Sequence, residues 1–245
     1  MSASPRTPAL AGLPRDASAP TLLLAVHGTR DQRGVAVARA LARRVGTRAG
    51  VAVRLAFADV LAPDVGEVAA AVDGPVVVVP AFLAAGYHVH VDIPEQLARA
   101  GRADAVVTGA LGGDPRLITA AARRLGRAGW TPGDAVVLAA AGSSDAGARA
   151  QVHDAADRLS GALEAPVEVG YIATATPRVP EVVRRVRRQG RGKVAIASWL
   201  LAPGLFHQRL AEAGADVVAA PLCPDDEVAQ AVVARYRAAL VCQPA

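Results

Sequence analysis

Two halves of this sequence follow the same order of strand-like and helix-like segments, and this repeat restricts the possible folds more than any other feature. LLLAVHGTRD (22–31) corresponds to VVLAAAGSSD (136–145), and FADVLAPDVGEV (57–68) corresponds to YIATATPRVPEV (171–182). In both halves, short runs rich in Val, Leu and Ile alternate with segments of helical periodicity, which is typical of parallel sheets covered on both faces. We therefore expect an α/β fold of two similar lobes, each a four-stranded parallel sheet flanked by helices.

The repeat also predicts how the chain is divided. A Gly- and Pro-containing stretch, GWTPG (129–133), separates the two copies. We expect residues 21–130 to form an N-terminal lobe and residues 131–245 a C-terminal lobe. Residues 1–20 are polar and rich in proline, so we expect a disordered arm there.

Composition limits the classes of partner. Only 3% of the residues are aromatic, which leaves few rings to stack on bases. The net charge of +5 comes from arginines that are scattered, apart from a cluster within 184–191. We interpret that cluster as a solvated helix face and expect no nucleic-acid partner. A small polyanion, such as a polycarboxylate, suits this mildly basic chain.

Several features predict a cytoplasmic protein with no membrane partner. Cys223 and Cys242 are far apart in the sequence and form neither a disulfide framework nor a thiolate metal motif. The first residues lack the apolar stretch of a signal peptide. The longest uncharged stretch, 74–91, contains prolines, glycine and histidines, which argues against a membrane helix.

Three polar residues stand at the predicted carboxyl ends of strands in the first half. His27 ends the first strand, Asp59 ends the second, and His88 lies in the loop after the third. The carboxyl ends of parallel strands meet at one edge of a sheet, where such folds bind their ligands. We expect these side chains to converge.

The second half has lost most of this set. The corresponding positions hold Ala141 and Ala173, and only His207 remains. Ordinary core packing gives no reason for this asymmetry, whereas a single active site in a duplicated fold does. The chemistry is therefore predicted to lie in the N-terminal lobe, with a degenerate site in the C-terminal lobe.

Two imidazoles and a carboxylate suit Fe²⁺, Co²⁺ or Ni²⁺. With no cysteine among them, they should hold a metal without trapping it. Histidine can also accept protons near neutral pH, which an exchange of metal for protons requires. We predict His27 and His88 as metal ligands, and these two with Asp59 as the catalytic group.

Further residues are predicted to contact the substrate. Arg30 could pair with an anionic group through two hydrogen bonds. Ser143 and Ser144 could offer hydroxyl and backbone N–H groups to a carboxylate, or could form only a serine-capped turn. His207 could face the cleft from the other lobe.

The remaining motifs have local interpretations. His90 is either an extra ligand or a solvated loop residue. Asp92 and Glu95 have the spacing of a capping box at a helix start. No Walker A or G-x-G-x-x-G sequence occurs, so we expect no ATP, no NAD and no cofactor beyond the divalent metal substrate.

The pairing of H-G-T-R-D after the first strand with P-A-F-L-A-A-G-Y-H-V-H-V-D-I-P resembles the sirohydrochlorin chelatases, the ATP-independent class II chelatases of tetrapyrrole synthesis. The resemblance covers residues 20–241. It implies two lobes around a cleft and insertion of a divalent metal into sirohydrochlorin with release of two protons. It also implies that His27 and His88 bind the metal and remove protons. Asp59 stands where the family commonly has a glutamate, which keeps the charge but shortens the reach.

Three functions remain open at the level of the sequence. The first is a ferrochelatase that makes sirohaem from sirohydrochlorin and Fe²⁺, which we favour. The second is a cobaltochelatase of cobalamin synthesis, since imidazole and carboxylate ligands accept Co²⁺ as well. The third is a carrier of metal or tetrapyrrole without turnover. We expect a monomer, because the duplication already supplies two lobes.

Overall fold

The computed structural model describes residues 19–190 and 192–241. It contains two four-stranded sheets in which all neighbouring strands are parallel, with the orders β2-β1-β3-β4 and β6-β5-β7-β8. The predicted fold class is confirmed. Most of the predicted N-terminal arm lies outside the described residues. The strands are β1 Thr21–Val26, β2 Val53–Phe57, β3 Val76–Pro80, β4 Val106–Val107, β5 Ala135–Ala140, β6 Val167–Tyr171, β7 Val194–Trp199 and β8 Val217–Val218.

Helices connect the strands in the same order in both lobes, and a short π-helix, His88–Asp92, precedes α3 in the first lobe. Helix α1 begins after Asp31, whose carboxylate accepts a hydrogen bond from the Arg33 N–H, and α5 begins after Asp145, whose carboxylate accepts from the Ala148 N–H. The α-helices are α1 Gln32–Ala49, α2 Val65–Ala70, α3 Ile93–Arg99, α4 Pro115–Ala128, α5 Ala146–Leu163, α6 Val179–Arg188, α7 Leu205–Ala211 and α8 Asp226–Val241.

The strands are apolar on both faces because both faces are covered. In β1, Leu23 and Ala25 pack into a small core against α2 and α3. Leu22 and Leu24, on the opposite face, enter a larger core that also includes Leu138 of the second sheet. One continuous core therefore joins the two lobes.

The last helix of each half packs against the sheet of the other half. Helix α4 contacts β7, while α8 contacts β3 and α1. Ion pairs cross the same junction, from Arg48 to Asp226 and from Arg123 to Asp225. Two sheets held in this way keep a fixed relation to each other. The division of the chain into two lobes at residue 130 remains a prediction. Helix α4 lies before residue 130 in the sequence, but it packs against β7 of the second sheet.

The basic cluster on α6 is partly neutralised by neighbouring acids. Arg185 pairs with Glu168, and Arg187 lies 2.9 Å from Asp216. Arg191 lies outside the described residues. Within the described part of the chain, no helix is both long enough and apolar enough to cross a membrane.

Candidate metal and substrate site

Backbone pairing continues past the ends of β1 and β2 and brings two predicted site residues side by side. The Asp59 N–H donates to the His27 carbonyl at 3.0 Å. Gly28 makes this approach possible, since its φ is +98° and a Cβ there would lie 2.2 Å from the Asp59 carbonyl oxygen. A larger residue at position 28 would push the two loops apart.

The third residue comes from the segment after β3. His88 is the first residue of the π-helix, and its ring centroid lies 4.6 Å from that of His27. Phe82 packs beside both rings, with centroids 6.3 Å from His27 and 5.9 Å from His88. The two imidazoles are thus held together by an aromatic neighbour.

One ligand atom from each of His27, Asp59 and His88 lies within 4.8 Å of the others. Because metal–ligand bonds to nitrogen and oxygen are about 2.0–2.2 Å long, small side-chain rotations would let one cation contact all three. His27 and Asp59 are exposed and His88 is half-buried. A bound cation would therefore keep open positions for water or for a second ligand.

The surroundings of His27 favour its neutral form. Although His27 is accessible to solvent, the protein atoms packed around its ring partly desolvate it and lower its pKa; the neighbouring His88 lowers the pKa further, while the Asp59 carboxylate acts in the opposite direction. A neutral imidazole has a free lone pair at neutral pH. His27 can therefore bind a cation or accept a proton.

The predicted capping box at Asp92 is wrong. Asp92 has helical backbone angles and makes no capping hydrogen bond, because the helical segment already begins at His88. Its carboxylate instead pairs with Nδ1 of His88, one turn earlier. A carboxylate at Nδ1 fixes the tautomer in which Nδ1 carries the proton and Nε2 is free for a metal.

Gln96 is a site residue that the sequence prediction missed. Its side chain is buried, donates to the Ala58 carbonyl at 2.8 Å and accepts from the Val65 N–H at 3.0 Å. These bonds tie both ends of the loop that carries Asp59 to α3. A polar residue among the apolar core positions of α3 was the available signal.

The Asp59 carboxylate is itself oriented by its own loop. Its Oδ1 accepts from the Val60 N–H at 2.7 Å, and Val60 has a φ of +71°. This bond uses one carboxylate oxygen and leaves the other for a ligand. Together with the bonds of Gln96, it fixes the position of the only acid in the group.

The predicted substrate residues do not join the cation group. Arg30 and Ser144 are exposed on the loops after β1 and β5. Ser143 Oγ accepts from the Asp145 N–H at 3.1 Å, as in a serine-capped turn. His207 Nε2 lies 3.3 Å from the Ala219 carbonyl of its own lobe. Their substrate roles remain predictions, as does that of His90, which is exposed on the π-helix.

The second lobe keeps the backbone of the site without its polar groups. The Ala173 N–H donates to the Ala141 carbonyl at 2.9 Å, and Gly142 has a φ of +98°, as in the first lobe. The methyl groups of Ala141 and Ala173 replace the imidazole and carboxylate. The same backbone geometry therefore offers no cation ligands at these two positions.

Loops from both sheets meet where the lobes join. A Cβ at Gly86 would lie 3.4 Å from Ser143 Oγ, and a Cβ at Gly204 would lie 3.2 Å from Thr29 Oγ1. Gly86 belongs to the His88 segment, and Thr29 follows His27. The candidate site thus lies beside the junction of the lobes, within reach of loops from both.

A sequence model of the CbiX family matches residues 21–128 and 135–239, which covers both halves. Three solved structures illustrate the shared fold. SirB from Bacillus subtilis with Fe³⁺ has a TM-score of 0.77 and 21% identity, over 89% of this chain and 94% of that one. SirB from Bacillus subtilis subspecies spizizenii in complex with cobalt has a TM-score of 0.73 at 21% identity, with the same coverage of 89% and 94%. CbiX, the terminal enzyme for siroheme biosynthesis in denitrifying bacteria, has a TM-score of 0.68 and 22% identity, over 90% of this chain and 99% of that one. No curated protein gives a significant match.

Proposed function

Because the chain belongs to the CbiX family, we propose that it is a sirohydrochlorin chelatase that inserts Fe²⁺ to form sirohaem. The observation that supports this most is the convergence of His27, Asp59 and His88 within 4.8 Å at the carboxyl edge of one sheet. Three ligands with open positions suit a cation that must be passed on rather than retained.

Insertion exchanges one divalent cation for the two N–H protons of the macrocycle. His27 and His88 hold the arriving cation through their free ring nitrogens. Asp59 supplies the negative charge that partly balances it. As the macrocycle nitrogens replace these ligands, the neutral imidazoles of His27 and His88 are released, and each can accept one of the two protons before passing it to water. His27 suits this role because burial and His88 favour its neutral form.

Asp92 prepares His88 for this step. Its carboxylate holds the Nδ1 proton and so presents the Nε2 lone pair to the cation. Asp92 thus acts through His88 as a positioning residue.

The identity of the inserted metal is the more specific part of the proposal. The two SirB structures hold Fe³⁺ and cobalt, and imidazole and carboxylate ligands accept either element. The cobaltochelatase alternative therefore uses the same residues. A cytoplasmic location, a monomeric state and the absence of ATP and NAD remain predictions from the sequence.

The test is an anaerobic absorbance assay of sirohydrochlorin with Fe²⁺ and, separately, with Co²⁺. Wild type, His27→Ala and His88→Ala are compared with the uncatalysed rate, and His153→Ala serves as control because this histidine is exposed on α5. We expect turnover with wild type and His153→Ala and its loss in the other two variants. The metal that is inserted faster indicates which of the two pathways, sirohaem or cobalamin synthesis, the enzyme serves.

Two outcomes would contradict the proposal. Full activity in His27→Ala and His88→Ala would show that metal insertion does not take place at this site. Stoichiometric binding of the macrocycle by wild type, without a rate above the uncatalysed one, would favour the carrier instead.

A further inference from the structure

Exposed apolar side chains collect around the candidate site. Among the described residues, four large apolar side chains are exposed: Val60 at 41%, Tyr87 at 61%, Leu205 at 58% and Val241 at 85%. Val241 is the last residue of α8, and the other three adjoin the site or its facing loop. Single exposed apolar residues are common on protein surfaces. Several of them close to the polar group of His27, Asp59 and His88 indicate a binding surface.

Tyr87 and Leu205 occupy corresponding positions in the two copies of the repeat. Each follows the glycine that touches the opposite lobe, Gly86 in one case and Gly204 in the other. The Tyr87 ring lies 6.2 Å from the His88 ring. Leu205 begins α7 on the other lobe, next to the glycine that lies beside Thr29. Each lobe therefore presents one exposed apolar side chain at the junction.

Binding of a cation alone does not require exposed apolar side chains. A planar tetrapyrrole has two broad apolar faces and an edge of ionised carboxylates, so it needs apolar contacts and a cationic partner together. Arg209 supplies the second feature, since it lies one helical turn after Leu205 and its guanidinium sits 5.8 Å from the Phe206 ring centroid. The chemistry around the site thus matches both parts of such a ligand.

We propose that Tyr87 and Leu205, one from each lobe, are the apolar contacts that hold the tetrapyrrole macrocycle at the cation site, with Arg209 pairing with a peripheral carboxylate. This inference rests on the proposed function and deepens it. It assigns the C-terminal lobe, which lacks the cation ligands, to recognition of the macrocycle. Val60, beside Asp59, extends the same apolar border.

The experiment titrates metal-free sirohydrochlorin into the protein and measures Kd from the change in tetrapyrrole fluorescence. Tyr87→Ser and Leu205→Ser should each raise Kd about tenfold, the change expected if the macrocycle covers roughly half of such a side chain. Tyr87→Phe and Leu205→Met keep the apolar surface and should bind like wild type. Val241→Ser removes an exposed apolar side chain far from the junction in sequence and should also bind like wild type.

Two further measurements separate this inference from a general defect. Co²⁺ binding, followed by its visible absorption without tetrapyrrole, should be unchanged in Tyr87→Ser and Leu205→Ser. Arg209→Gln should weaken macrocycle binding and reduce its dependence on salt.

An unchanged Kd in both serine variants, with normal metal insertion by wild type, would overturn the inference and leave the proposed function intact. Failure of wild type to bind the macrocycle would overturn both. If Val241→Ser weakened macrocycle binding as much as the other two serine variants, the inference would also be overturned, because the effect would then not be specific to the side chains at the junction of the lobes.

Discussion

Asp92→Ala gives the most informative single perturbation of the site. The Asp92 carboxylate is the hydrogen-bond partner of His88 Nδ1, and within the described part of the chain its side chain makes no other hydrogen bond and caps no helix. Without it, the Nδ1 and Nε2 tautomers of His88 compete and the ring is free to rotate. The lone pair that faces the cation is then present only part of the time.

The magnitude follows from the character and exposure of this bond. A hydrogen bond to a charged group contributes about 1.5–3 kcal/mol. The side chains of His88 and Asp92 are 27% and 23% exposed, so water screens part of that energy. The lower end, about 1.5 kcal/mol, corresponds to a roughly tenfold loss in cation affinity. Asp92→Asn, whose amide oxygen still accepts from Nδ1–H, should lose less.

The assay measures Co²⁺ affinity by visible absorption and then kcat and KM for metal insertion. We expect weaker Co²⁺ binding and a higher KM for the metal, with the KM for sirohydrochlorin unchanged. Asp154→Ala is the matched control, because Asp154 pairs with Arg158 four residues later on an exposed face of α5. Co²⁺ affinity in Asp92→Ala equal to that of wild type would refute the reasoning.

Three other perturbations test the construction of the site. Gly28→Ala places a Cβ at positive φ and against the Asp59 carbonyl, so we expect a destabilisation of about 1–3 kcal/mol in thermal unfolding and loss of insertion. Gln96→Leu leaves two buried backbone groups unpaired, which should cost about 2–4 kcal/mol in denaturant unfolding and weaken Co²⁺ binding. Because the pKa of His27 is lowered from 6.5, its neutral form persists at pH values where an ordinary histidine is half protonated. Insertion should therefore continue at pH 6.5 and fall as the pH drops through the lowered pKa, and a rate already halved at pH 6.5 by protonation of His27 would contradict this expectation.

The sequence predicts the fold and the convergence of the cation group for the same physical reason. Apolar runs that alternate with helical segments indicate parallel sheets, and the carboxyl ends of parallel strands share one edge. Knowing that His27, Asp59 and His88 follow three strands is therefore enough to bring them together. Comparison of the two copies of the repeat also indicates which copy carries the polar groups.

Other features depend on information that local sequence does not contain. The spacing of Asp92 and Glu95 is that of a capping box, but the helical segment begins four residues earlier, at His88, and this start changes the role of Asp92. The period of α4 predicts an amphipathic helix without indicating which sheet it covers. Gln96 becomes a site residue only through two backbone groups remote in sequence.

The measurement that tests the central claim most directly is a crystal structure of the protein soaked anaerobically with Co²⁺, with anomalous scattering recorded at the cobalt edge. The account predicts one ion about 2.0–2.2 Å from a ring nitrogen of His27, a ring nitrogen of His88 and a carboxylate oxygen of Asp59. It predicts no ion beside Ala141 and Ala173 in the second lobe. An ion bound elsewhere, with the His27 group empty at saturating Co²⁺, would contradict it.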